Sequence, residues 1–176
     1  IDINRDMDED LDSDVRGLVE AEGVDALRID DLTKADLPSI GWSGSRTHLK
    51  YVEEALERVA DCEVDCLAIR APNGEPISIG GVNYTAHQDA GTLWQLATKS
   101  SLRGLGLGTR LIAEAEQRIK KRGLTRAMIG VEDDNPRARE LYERLGYQVT
   151  GHEVETWTVD DGSGNEIVHH ARITLL

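Results

Sequence analysis

Arg103-Gly104-Leu105-Gly106-Leu107-Gly108-Thr109 is the stretch on which the reading of this chain turns. Before it, Thr92–Thr98 reads as a strand. After it, Leu107, Leu111, Ala115 and Ile119 recur every fourth residue, so the spacing predicts an amphipathic helix over Gly106–Arg122. The glycines therefore fall at a strand-to-helix junction. Three alternate glycines let a backbone come close to a ligand. Successive N–H groups at a helix start form a nest for an anion. Arg103 adds fixed positive charge, and the whole suits a phosphate or pyrophosphate. The dinucleotide fingerprint G-x-G-x-x-G fails, because its third glycine would fall on Thr109 or Leu111. The P-loop pattern fails too, since no Gly-Lys-Ser/Thr follows.

On the C-terminal side, Arg126–Glu132 reads as a strand and Asn135-Pro136 as a helix start, with Asn as cap and Pro in the first turn. Ala138, Leu141, Tyr142 and Leu145 mark the inner face of that helix, and Gly146 stops it. Tyr147–Val159 and Glu166–Leu175 form a last hairpin around a turn of Asp, Gly, Ser and Asn. On the N-terminal side, Asn73-Gly74 joins two strands, Cys66–Ala71 and Pro76–Tyr84, and His87–Gly91 is a second turn. A helix carries Leu49, Val52, Ala55, Leu56 and Val59 on one face. Gly41–Ser45 is a loop, and a short helix opens at Thr33 and contains Pro38. Val24–Asp30 reads as the first strand. Residues 1–23 read as an acidic, partly helical extension, and 24–176 as a single domain. The order β-α-α-β-β-β-α-β-α-β-β predicts an α+β fold with a mixed sheet.

Composition bounds the function. With 33 acidic and 20 basic residues the net charge is −13, the wrong balance for a phosphate-backbone binder, so no nucleic-acid partner is expected. The field favours a cationic partner such as an amine, and it is equally the solubility surface of an acidic proteome. No apolar run approaches the roughly 18 residues of a spanning helix, so no membrane role is expected. The acidic N-terminus has no apolar core of a secretory signal, and the chain lacks an initiator Met. Cys62 and Cys66 read as reduced structural thiols, and the expected compartment is the cytoplasm. His169-His170 are neighbours on a strand and point to opposite faces, so no metal site is expected from them. Trp94 and Trp157 read as strand residues packed on the core.

Two motifs together give a resemblance. Arg103-Gly104-Leu105-Gly106-Leu107-Gly108 follows the pattern Q/R-x-x-G-x-G/A, and Asn135, Ala138, Leu141, Tyr142, Gly146 and Tyr147 follow N-x-x-A-x-x-L-Y-x-x-x-G-F/Y. In this order and on these elements they resemble the GNAT superfamily of acyl-CoA N-acyltransferases. The resemblance implies a mixed sheet splayed at its fourth strand, flanked by about four helices, with acetyl-CoA in the opening as acyl donor. It implies that Leu96, Ala97 and Thr98 hold the pantetheine arm and that a backbone N–H there polarises the thioester carbonyl. Arg103, Gly104, Leu105, Gly106, Leu107, Gly108 and Thr109 would hold the pyrophosphate, Asn135 would contact the pantetheine side, and Tyr142 would protonate the leaving thiolate. A phenol of pKa about 10 suits that role. Where the family often has Pro after the fourth strand, this chain has Ser100.

The base is less well marked. Some members carry Glu five residues before the motif Asn, where this chain has Gly130, and others carry one early in the fourth strand, near Thr92. Glu132 lies two residues beyond Gly130 on the same strand face and is preferred over His87 and Asp89, which are expected to line the acceptor side from their turn, with a water relay as the alternative. The resemblance also places Trp42, Arg46 and His48 in the region that shapes the acceptor pocket. The expected function is transfer of an acetyl group from acetyl-CoA to a primary amine, in a small molecule or a peptide, by direct attack in a ternary complex. The alternative is a degenerate acyl-CoA-binding sensor or scaffold, for which Gly130 is the best argument. The family's frequent dimers leave a homodimer open.

Overall fold

The computed structural model describes residues 3–160, 163 and 166–175. Four α-helices and seven strands alternate with short 3₁₀ turns among the described residues: α1 (Ile3–Glu22), β1 (Arg28–Asp31), α2 (Arg46–Arg58), β2 (Val64–Arg70), β3 (Pro76–Asn83), β4 (Ala90–Thr98), α3 (Leu107–Lys121), β5 (Arg126–Glu132), α4 (Pro136–Arg144), β6 (Gly151–Asp160) and β7 (Glu166–Leu175). The sheet order is β1-β2-β3-β4-β5-β7-β6. Among the described residues only β4 and β5 run parallel. Helix α2 covers one face through Val52, Ala55 and Leu56. Helices α1, α3 and α4 cover the other, where Val15, Leu107, Leu111 and Ile119 bury against Leu67, Leu93 and Ile129. The expected α+β architecture with a mixed sheet and about four helices is therefore present.

Several local expectations change. Residues Val24–Ala26 form a 3₁₀ turn instead of the start of a strand, and the strand begins at Arg28. Gly23, at φ +88°, turns the chain out of α1, and pairing starts only where Arg28 meets Arg70 on β2. The charged segment over Asp6–Asp14 is helical throughout, because Leu11, Val15, Leu18 and Val19 anchor α1 to the core. The segment opening at Thr33 is 3₁₀, with Pro38 inside it, and the Thr33 N–H donates to Asp36 Oδ2 at 2.8 Å. Residues Gly41–Ser43 form a further 3₁₀ turn, and Val59, just past α2, is exposed. β6 starts at Gly151, not at Tyr147. Residues 145–147 instead close α4: Gly146 N–H donates to Glu143 O and Tyr147 N–H to Tyr142 O, a Schellman pattern. Its accompanying side-chain contact is Tyr142 against Tyr147, edge-on at 6.5 Å.

Arg70 ties β1, β2 and the Thr33 turn together. Its buried guanidinium bonds Asp30, both carboxylate oxygens of Asp36, and the carbonyls of Asp31 and Gly74. These bonds use all five N–H donors, and Arg70 holds the Asp36 carboxyl below the usual carboxylate range. Cys62 and Cys66 are both free, and burial pushes the Cys66 thiol up to about 12. The side chains of Trp157, His169 and His170 lie outside the described residues.

Candidate active site

β4 and β5 pair only from Ala90–Arg126 to Leu93–Ile129. Beyond that point they part. β4 continues to Thr98 beside β3, whereas Gly130–Glu132 of β5 pairs with β7. The parting coincides with a bulge. Gly81 opposes Trp94 and Ile79 opposes Ala97, so Gly80 alone faces Gln95 and Leu96. Gln95 adopts φ +53°, a left-handed conformation that costs a non-glycine residue about 1–2 kcal/mol. The bulge puts Leu93 and Leu96 on the same face, the one packed by α3, while Trp94 and Ala97 pack toward α2.

The bulge also decides where the peptide groups of β4 point. Lys99 N–H donates to Ile77 O, so by alternation Ala97 bonds toward β3 as well. The peptides of Leu96 and Thr98 then face the other way, into the gap that β5 leaves. Leu96, Ala97 and Thr98, the residues expected to hold a pantetheine arm, thus form the open edge of the split sheet.

The glycine stretch follows directly. Gly104 and Gly106 take φ +82° and +86°, conformations open to glycine, and Gly106 is the N-cap of α3. The first N–H of this helix with a backbone acceptor is Arg110, on Gly106 O. The N–H groups of residues 104–109 have no backbone acceptor among the described residues. Gly108 is different from the other two. Its φ is ordinary, and a Cβ added there would meet nothing within 4 Å. No protein atom requires a glycine at 108, and the space beside it is open. Arg103 is exposed with no carboxylate partner among the described residues. Leu105 and Leu107 pack on the core and anchor the loop. These residues fit the diphosphate of a CoA ester, with free donors, positive charge and open space at Gly108 that a side chain would occupy.

Tyr142 packs against the same core cluster as Leu96 and Leu105. Burial pushes its phenol above the ordinary tyrosine range, so it stays protonated at neutral pH. Asn135 Oδ1 accepts from Ala138 N–H and caps α4.

On the α2 face a cleft of about 640 Å³ opens at the split, with walls from α2, β4, β5 and β6. Its lining brings together Glu132, Glu153 and Glu155, with His48 and His87 across from them. Glu132 and Glu153 both stand opposite Ile173 of β7, one on each side, which puts them on one face of the sheet. Burial, the neighbouring Glu153 and Glu132 raise the Glu155 carboxyl above its ordinary value. Thr92 Oγ1, also on the wall, is buried without a hydrogen-bond partner among the described residues.

Other expected acceptor-side residues lie elsewhere. Trp42 packs against Leu32, Ile40 and their cluster rather than lining the cleft. Asp89 pairs with Arg126 at 2.9 Å on the surface, and that guanidinium lowers its carboxyl. Arg46 is exposed and outside the cleft lining. Sequence reasoning missed Glu153 and Glu155. Their spacing of two on a strand was the available signal, but the third carboxylate comes from β5, across β7.

The sequence matches the model of the acetyltransferase (GNAT) family over residues 29–147, more than half of the chain. The chain belongs to the GNAT acetyltransferase family. Its fold is similar to a ribosomal-protein-alanine N-acetyltransferase from Brucella melitensis, at 18% identity and TM-score 0.64, covering 85% of this chain and 97% of that one. It is similar to spermidine N-acetyltransferase from Vibrio cholerae in complex with CoA and spermine, at 18% identity and TM-score 0.62, covering 85% and 94%. It is also similar to PaiA N-acetyltransferase from Thermoplasma acidophilum in complex with coenzyme A, at 19% identity and TM-score 0.59, covering 85% and 97%. Among the described residues no helix is long and apolar enough to cross a membrane, and no group of three His, Cys, Asp or Glu side chains could hold a metal ion.

Proposed function

We propose that this GNAT domain transfers an acetyl group from acetyl-CoA to a cationic primary amine. The observation that carries the reading is one split in the sheet that serves two sites. Unpaired N–H groups at the start of α3 and along β4 line one side of it, and a three-carboxylate cleft opens on the other. Acetyl-CoA, when bound, supplies an activated acyl carbon, to which the amine bonds as the carbon–sulfur bond breaks. Residues 103–109 hold the diphosphate, and the β4 edge orients the arm and polarises the carbonyl oxygen.

An alkyl ammonium has a pKa of about 10.4 and must lose a proton before it can attack. Glu132 takes it, and Glu153 and Glu155 draw the cation into the cleft. Tyr142 gives its phenolic proton to the departing sulfur. An ammonium that becomes an amide loses two protons: Glu132 takes the first and passes it to water, and the second leaves the nitrogen as the carbon–sulfur bond breaks and restores, by way of water, the proton that Tyr142 gives to the thiolate.

Thiol release from acetyl-CoA over a panel of amines headed by spermidine tests this. Turnover should fall at least about tenfold in Tyr142→Phe, a loss near 1.4 kcal/mol of transition-state stabilisation. CoA affinity should stay within about twofold. A folded protein that binds acetyl-CoA and turns over no amine would instead be a sensor.

A further inference from the structure

We propose that His48 is a positioning residue that holds the β4 bulge through Gln95 and so aims the β4 peptides at the acetyl carbonyl. This rests on the proposed binding of acetyl-CoA along β4. The imidazole lines the cleft and is held at both nitrogens. Nδ1 lies 2.5 Å from Gln95 Oε1, and Nε2 lies 2.9 Å from Ser43 Oγ. The Ser43 hydroxyl also bonds Ile40 O at 2.7 Å, so the ring, the hydroxyl and the backbone form one chain. The ring face lies against the backbone at Gly44, where an added Cβ would sit 2.8 Å from two ring carbons. His48 N–H is in turn held by Ser45 Oγ, the cap of α2.

These contacts fix one ring, and its hydrogen bond to β4 goes to Gln95. Gln95 is also the residue at left-handed φ in the bulge that turns Leu96 and Thr98 toward the gap. Its side chain leaves the strand toward α2, and His48 is the group that receives it. Releasing Gln95 lets the bulge relax toward ordinary strand geometry. That rotates the next peptide away from the carbonyl while leaving residues 103–109 untouched.

The test reads the carbonyl itself. The infrared stretch of [1-13C]acetyl-CoA is recorded bound to the wild type and to His48→Asn, His48→Gln and His48→Ala, with CoA affinity measured by calorimetry on each. The Asn carboxamide can stand in for Nδ1, and that of Gln for Nε2. The wild type should show a stretch lowered from that of free acetyl-CoA. His48→Asn should keep most of that shift. His48→Gln and His48→Ala should lose at least about half of it, with CoA affinity within about twofold of the wild type. An unlowered stretch in the wild type, or the same stretch in all four proteins, overturns the role of His48. So does loss of both shift and CoA affinity in all three variants, which marks a merely structural histidine. A folded wild type that fails to bind CoA at all removes the proposed function, and this inference with it.

Discussion

Gly108→Ala should make the protein more stable and a worse binder of CoA at once. Gly108 is the second residue of α3, with an ordinary helical φ and open space where a Cβ would go. Alanine there removes backbone entropy from the unfolded chain and gains helix propensity, together worth up to about 0.5–1 kcal/mol. For a chain of this size that raises Tm by roughly 1–4 °C. Gly104→Ala and Gly106→Ala serve as controls, since each forces alanine to positive φ at a cost of about 1–2 kcal/mol and should lower Tm. If a diphosphate lies against the backbone at Gly108, the new methyl displaces it. Calorimetric titration with CoA should then show affinity reduced at least about tenfold, 1.4 kcal/mol. Differential scanning calorimetry on the same samples gives the stability side. A Gly108→Ala protein with raised Tm and wild-type CoA affinity would refute the argument that a ligand, not the fold, requires this glycine.

Three further outcomes follow from the geometry. Arg70→Ala leaves Asp36 without its cation and Asp30 with Arg28 alone, and should cost about 3–5 kcal/mol in urea unfolding. The Asp36 carboxyl is lowered in the fold, so its contribution is full above the unfolded value near 3.9 and is lost as pH falls through the folded one; Arg70→Ala should flatten that acid limb, and an unchanged limb would count against the network. Glu132→Gln should remove the acid limb of kcat/KM for the amine, and a profile matching the wild type would take Glu132 out of the proton path. Gly80→Ala pushes a methyl into Leu96 and Leu111 opposite the bulge and should cost about 1–3 kcal/mol in thermal unfolding, with acetyl-CoA affinity falling in parallel; wild-type stability would show the bulge to be loosely packed.

The parts of this molecule that local chemistry dictates are legible in the sequence. The Asn135 cap, the Gly146 stop and the every-fourth-residue stripe of α3 are short-range signals, and each appears where the sequence puts it. The parts set by tertiary contact were not. Nothing in Trp94-Gln95-Leu96 announces a left-handed residue, because the strain at Gln95 is held by His48, 47 residues away. Val24–Asp30 has strand composition, yet only the stretch from Arg28 finds a partner strand. The acidic run in α1 reads as a tail until Val15 is seen fully buried. The cleft carboxylates are separate in sequence, and only the insertion of β7 between β5 and β6 brings Glu132 level with Glu153.

The central claim is that the start of α3, with the open edge of β4, binds a CoA ester. Calorimetric titration of the folded protein with acetyl-CoA, repeated on Arg103→Ala, tests it most directly. Arg103 is exposed and makes no ion pair among the described residues, so its removal should leave the fold intact. The account predicts micromolar binding by the wild type, about −8 kcal/mol, weakened at least about tenfold in the variant. Equal affinity in the two proteins, or no binding by the folded wild type, would contradict it.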